Sequence, residues 1–121
     1  MNRGSAIALL LLLLAATPAR AQEATYEQPL LRLAEILGAV HYLRNLCGEE
    51  SDDWRGRMQE LLQTEAPSPA RREKLVASFN RGYRAFAGTY ATCTAQARSA
   101  VENYMKEGAS LSRDIAQRYG N

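Results

Sequence analysis

The chain has 121 residues, 15 Lys and Arg against 13 Asp and Glu, and 46% hydrophobic residues, a length and balance that fit one small domain. Arg3 and Arg20 fall in a leader-like start, and without them thirteen cations face thirteen anions. Such a chain lacks the cationic excess that displaces counterions from a phosphate backbone, which excludes sequence-independent nucleic-acid binding.

The start carries the clearest signal. Asn2-Arg3-Gly4 is a short basic stretch, Ala6 to Ala16 is an unbroken apolar run of eleven residues, and Ala19-Arg20-Ala21 has a small-x-small pattern. Eleven residues fall well short of the roughly 18–20 that a bilayer-spanning helix needs. The pattern predicts a secretory signal peptide over residues 1–21, cleaved after Ala21, and an exported mature domain over residues 22–121. As a buried helix, the same run would leave Leu9 to Leu14 apolar on every side with nothing to cover them. The mature chain has no apolar stretch long enough to span a membrane, and no cysteine follows the cleavage site to take a lipid. Export would put Cys47 and Cys93, the only cysteines, in an oxidising compartment and make them candidates for a disulfide. The loop such a bond closes would contribute ~4 kcal/mol by the chain-entropy relation.

Apolar spacing predicts an all-α fold, a small bundle of three to four helices with a long third helix. The first helix is expected from Tyr26 to Cys47, with Pro29 in its opening turn and Gly48 as its stop. Leu30, Leu33, Leu37, Val40 and Cys47 form its stripe, widened by Ile36, Leu43 and Leu46. After the acidic turn from Glu49 to Asp53, Ser51 or Asp52 can cap a second helix that carries Trp54, Met58, Leu61 and Leu62 on one face. Pro67 and Pro69 end it. Ser68 caps the third helix, Pro69 takes its first position, and apolar residues then step by threes and fours from Leu75 to Tyr104. Gly108 is its expected end, with a fourth helix carrying Leu111, Ile115 and Tyr119; the alternative is one helix running through to Tyr119.

A Cys47–Cys93 bond would also set a register. Leu33, Leu37, Val40, Arg44 and Cys47 have the spacing of Phe79, Tyr83, Phe86, Tyr90 and Cys93. The first and third helices would then run parallel, matching Leu33 to Phe79, Leu37 to Tyr83 and Val40 to Phe86. The second helix must return between them, and its short length calls for an extended segment from Thr64 to Pro69. Beyond Cys93, Val101 and Tyr104 would have no cover from the first two helices. Either the fourth helix folds back over them with Leu111 and Ile115, or they form an interaction surface for a second subunit or a partner.

Candidate chemistry is sparse. His41 is the only histidine, and beside Val40 and Tyr42 a packing role is the ordinary one. No paired-histidine or His/Cys metal spacing, Gly-x-Ser-x-Gly elbow, Cys-x-x-Cys-His haem attachment or Gly-rich phosphate loop occurs, so no catalytic residue, metal ligand or cofactor is assigned. The densest polar cluster joins Asn80, Arg81 and Arg84 to Tyr42, Arg44 and Asn45. It offers a patch for a carboxylate or phosphate on a ligand or partner; the alternative is that the arginines pair with the acidic turn or stay in water.

The segments from Leu33 to Cys47, from Ser78 to Arg84 and from Tyr90 to Cys93, with the tail from Glu107 to Tyr119, resemble a family of small exported alphaproteobacterial proteins of unknown function. The resemblance implies export and a disulfide between two well-separated cysteines, in the places held by Cys47 and Cys93. It implies no activity, cofactor or catalytic residue. The expected role is that of a non-enzymatic periplasmic protein that binds an envelope partner or itself; the alternative is small-molecule or anion binding through the Arg/Tyr patch.

Overall fold

The computed structural model describes residues 18–48 and 50–119, with side chains from Tyr26 to Arg118 apart from Glu49. The leader expected over residues 1–21 lies outside the described residues up to position 17, as does the first acid of the turn after the first helix. Four helices follow in order: α1 Pro18–Leu46, α2 Asp53–Glu65, α3 Pro69–Ala87 and α4 Ala95–Tyr119. No strand occurs among the described residues, and none of their helices is long and apolar enough to cross a membrane.

α1 is the hub, packing against each of the other three. Leu30, Ala34, Ile36, Leu37, Ala39, Val40 and Leu43 are all buried. From Ile36 to His41 every residue is buried, so the helix has no solvent side there. That is why its apolar pattern is wider than one amphipathic stripe. α2 adds Met58 and Leu62, α3 adds Leu75 and Phe79, and α4 adds Ala97 to the buried set.

α1 begins at Pro18 rather than Tyr26, which puts Pro29 inside the helix instead of in its opening turn. An interior proline removes one backbone hydrogen bond. The stop is as expected, with Gly48 following the last turn at φ 102°. At the start of α2 the Asp52 side chain makes no capping bond, whereas the Ser51 hydroxyl accepts from the Asp53 N–H at 3.4 Å. α2 continues to Glu65, so the extended link expected from Thr64 to Pro69 shrinks to residues 66–68. Ala66 takes the left-handed conformation at φ 42° and closes the helix by donating to the Leu62 carbonyl at 3.0 Å. Ser68 caps α3 by accepting from the Arg71 N–H at 3.3 Å, and Pro69 opens the helix, both as read from the sequence.

The third helix is 19 residues long and does not continue past Cys93 to Gly108. It ends at Ala87, and the chain turns through Gly88 to Cys93 before Thr94 starts α4, its hydroxyl accepting from the Ala97 N–H at 3.1 Å. The shorter α3 removes the length mismatch that called for a long extended link. Gly108 is not a stop. It lies within α4, where an added Cβ would stand 3.1 Å from the Ile36 side chain, so glycine there lets α4 lie close on α1.

α1 and α3 run in the same direction: Arg81 pairs with Glu35, Tyr42 meets Tyr83 and Tyr90, and Cys47 bonds Cys93. The cysteine Cα atoms are 5.0 Å apart. The helices cross where two glycines face each other. A Cβ on Gly38 would fall 1.9 Å from the Phe79 carbonyl oxygen, and one on Gly82 1.9 Å from that of Glu35. Each glycine thus sits on the carbonyl three residues before the other. The crossing aligns position 38 with position 82, two residues away from the register that matched Leu33 to Phe79. The offset changes because Cys93 lies beyond the end of α3, in a turn that absorbs the difference.

Gly38→Ala and Gly82→Ala are therefore expected to destabilise the protein by about 3 kcal/mol or more, the upper range for overpacking. Gly56→Ala, a helical position with open space around it, should instead stabilise by ~0.5–1 kcal/mol. Urea unfolding followed by circular dichroism separates the two. Reducing the disulfide, or Cys47→Ser, should remove about 2–4 kcal/mol in the same assay; equal stability with and without reductant would contradict this.

Candidate functional site

The side chains with chemical potential gather around the C-terminal half of α1. His41 is 8% exposed, with its ring between those of Phe79 and Tyr83 at centroid distances of 6.0 and 5.8 Å. Its Nδ1 lies 3.3 Å from the Asn45 amide nitrogen, which also donates to the His41 carbonyl at 2.9 Å. The Asn45 Oδ1 accepts from the Ser51 N–H at 2.7 Å, tying the end of α1 to the turn before α2. Burial, joined by the nearby Arg55 charge and opposed by Asp52, lowers the imidazole pKa below its ordinary value and keeps the ring neutral. The side chain in contact with its ring nitrogen is the Asn45 amide, and the arrangement builds a packed, hydrogen-bonded histidine. Among the described residues no group of three His, Cys, Asp or Glu side chains could hold a metal.

The structure disperses the patch expected from Tyr42, Arg44, Asn80, Arg81 and Arg84. The Tyr42 hydroxyl donates to the Tyr90 carbonyl, and its ring meets Tyr83 edge-on at 5.2 Å. Arg81 reaches Glu35 at 3.3 Å, and the Arg84 Nε donates to the Asn80 carbonyl one turn back at 3.3 Å. The Asn80 side chain is exposed. Arg44 faces α4 instead, because residues two apart on a helix point to different sides. Arg81 is the end of a chain of charges rather than part of an anion clamp. Arg32 bridges Glu35 at 3.5 Å and grips Glu107 of α4 with two bonds of 2.6 and 2.8 Å. That contact holds the Glu107 carboxyl below its usual pKa, and the run Arg81–Glu35–Arg32–Glu107 links α3, α1 and α4.

Val101 and Tyr104 are half-buried by their own chain, because α4 itself folds back onto α1. The Tyr104 ring meets Phe86 edge-on at 5.2 Å and lies under the Arg32 guanidinium at 5.3 Å. Val101 lines a groove of ≈ 490 Å³ together with Arg44, Cys47, Arg98, Glu102, Met105 and Lys106. A second groove of ≈ 300 Å³ lies between α2 and α4, with Leu33, Ile36, Leu37 and Val40 of α1, Trp54 and Arg57 of α2, and Met105 and Gly108 of α4 among its lining. Arg98, Met105 and Lys106 were not legible as site residues, because a third helix running through Cys93 gave them no α1 to face. Thr94, three residues before Ala97 and followed by a helical pattern, was the available sign of a new start.

These features define a disulfide-stapled all-α bundle built around one central helix, with two grooves along the α1–α4 seam. The chain belongs to a family of proteins of unknown function, DUF2385, which matches it over residues 25–119. No curated protein sequence and no solved structure matches it.

The lowered imidazole pKa sets a pH dependence. A group that is harder to protonate in the folded state contributes stability fully above its free value, and this is lost as pH falls through that value toward the lowered one. Melting temperatures should therefore fall between about pH 7.5 and about pH 5.5, bracketing the free imidazole value of ~6.5. His41→Gln should flatten that slope; an identical slope in the variant would remove His41 as its source.

Proposed function

We propose that the protein is an exported, non-enzymatic helical protein of the periplasm that works by binding another envelope component or a second copy of itself. The observation that carries this reading is the formed Cys47–Cys93 bond in a chain that opens with a leader-like basic, apolar and small-residue pattern. A structural disulfide is favoured in an oxidising compartment. Two further features agree with a binding role. His41 is packed against rings and an amide, and grooves lie open along α4. Cleavage after Ala21 would remove the first four residues of α1 and keep every buried position among the described side chains.

Binding through Val101 and Tyr104 remains part of this reading, with the partner engaging the edges those residues leave exposed. Anion capture by Tyr42, Arg44, Asn80, Arg81 and Arg84 acting together is less favoured, since Arg44 faces α4 while Arg81 engages Glu35.

Cell fractionation with mass spectrometry tests the location. The expected product is released by osmotic shock, begins at Gln22 and has no titratable thiol; recovery in the cytosol with Met1 and free thiols would overturn export. Cross-linking in intact cells followed by sedimentation tests the binding role. A discrete complex or dimer is expected, and a strict monomer with no cross-linked partner would overturn it.

A further inference from the structure

We propose that His41 and Asn45 form a proton-operated latch on the turn between α1 and α2: a proton taken up at the His41 Nδ1 turns the Asn45 amide over and releases the Ser51 N–H. The latch needs no partner, and so stands apart from the binding role proposed above. It depends on the orientation of one carboxamide, which is fixed from both ends. The Asn45 Oδ1 accepts from the Ser51 N–H at 2.7 Å, and the Asn45 amide nitrogen donates to the His41 carbonyl at 2.9 Å. The nitrogen end therefore faces the His41 Nδ1, at 3.3 Å. An NH2 group only donates, so Nδ1 is the acceptor and the neutral ring carries its hydrogen on Nε2. The lone pair that a second proton must take is the one turned toward Asn45.

Protonation sets an Nδ1–H against the amide NH2, donor against donor. Turning the amide over gives that N–H an acceptor in Oδ1, but it then presents the NH2 to the Ser51 N–H. The two donors lie at opposite ends of the carboxamide, so Oδ1 cannot serve both. From α3 the ring meets Phe79 and Tyr83. Arg55 of α2 opposes a second positive charge, and Asp52 of the turn favours one less strongly. Burial opposes it most, so uptake falls on the acid side of the ordinary imidazole value of ~6.5. Glu50, Ser51, Asp52 and Tyr83 line an open groove of ≈ 440 Å³ with His41 and Asn45, which gives water access to the ring.

The release is local. The Ser51 hydroxyl also accepts from the Asp53 N–H at 3.4 Å, so freeing Ser51 loosens the start of α2. The far part of α2 stays held by buried Met58 and Leu62 and by the bond from Tyr26 to Glu65. Cys47, two residues past Asn45, stays bonded to Cys93. A proton bound on the hub is thus read out at the first turn of its neighbour.

Two-dimensional NMR of the disulfide-intact protein between about pH 8 and about pH 5 tests the latch. The His41 ring protons, the Asn45 side-chain amide and the Ser51 backbone amide should titrate together, with one midpoint below ~6.5. Across that midpoint the Ser51 amide should exchange with solvent at least about tenfold faster than its intrinsic chemistry dictates, the scale of one lost hydrogen bond. Leu43 and Leu75 should keep their protection. Asn45→Asp supplies an acceptor oxygen for each donor and a negative charge beside the ring. It should raise the His41 midpoint by about one pH unit or more and keep Ser51 protected below it. In His41→Gln the Asn45 and Ser51 signals should not titrate over this range. Separate midpoints, unchanged Ser51 exchange through the His41 titration, simultaneous loss of protection at Leu43 and Leu75, or an unmoved midpoint in Asn45→Asp would each overturn the latch.

Discussion

Everything in this fold is arranged around the close contact of α1 with α3. Two backbones approach so nearly at Gly38 and Gly82 that a single methyl on either would overlap a carbonyl oxygen. That approach is possible only for glycine, and it seats α3 directly against the stretch of α1 from Ile36 to His41 that has no solvent side. With α3 in place, the remaining sides of α1 are closed by α2 through Met58 and Leu62 and by α4 through Ala97 and Gly108. A domain of this size has little core to spare, and here more than half of the buried apolar residues among those described belong to one helix.

The other fastenings secure the same hub from outside. The Cys47–Cys93 bond fixes the turn between α3 and α4 to the end of α1. The two-bond contact of Arg32 with Glu107, reinforced by the Tyr104 ring beneath the guanidinium, holds the middle of α4 to α1. The Tyr26 hydroxyl, in the N-terminal half of the hub, donates to Glu65 at the end of α2. The ion pairs are half in water and individually weak; their placement at successive levels of α1 matters more than their strength. Polar side chains that a sequence offers as a ligand patch are here largely occupied in holding helices together.

Local signals were legible wherever a residue's role depends on its neighbours in the chain. Ser68 and Pro69 start α3, Gly48 follows α1, the leucine stripes mark the core, and the cysteines are bonded. What was not legible depends on distant neighbours. Gly88 and Gly108 look alike in sequence, yet the chain leaves its helix at the first and continues helically through the second, where Ile36 of α1 lies close by. Tyr42 and Arg44 are close in sequence but point to different sides of α1, so a cluster counted along the chain came apart in space. The seam cations Arg98 and Lys106 became visible only once α4 turned back on the hub.

The disulfide also partitions the molecule topologically. Its covalent ring, closed at Cys47 and Cys93, encloses α2, the short link over residues 66–68 and all of α3, while α4 and the body of α1 hang outside it as two tails. A peptide bond hydrolysed at the exposed Ala66 would open this ring without dividing the protein, since both fragments stay joined through sulfur. The link between α2 and α3 can therefore be severed, or rejoined elsewhere by circular rearrangement of the gene, while the paired tails keep their mutual grip.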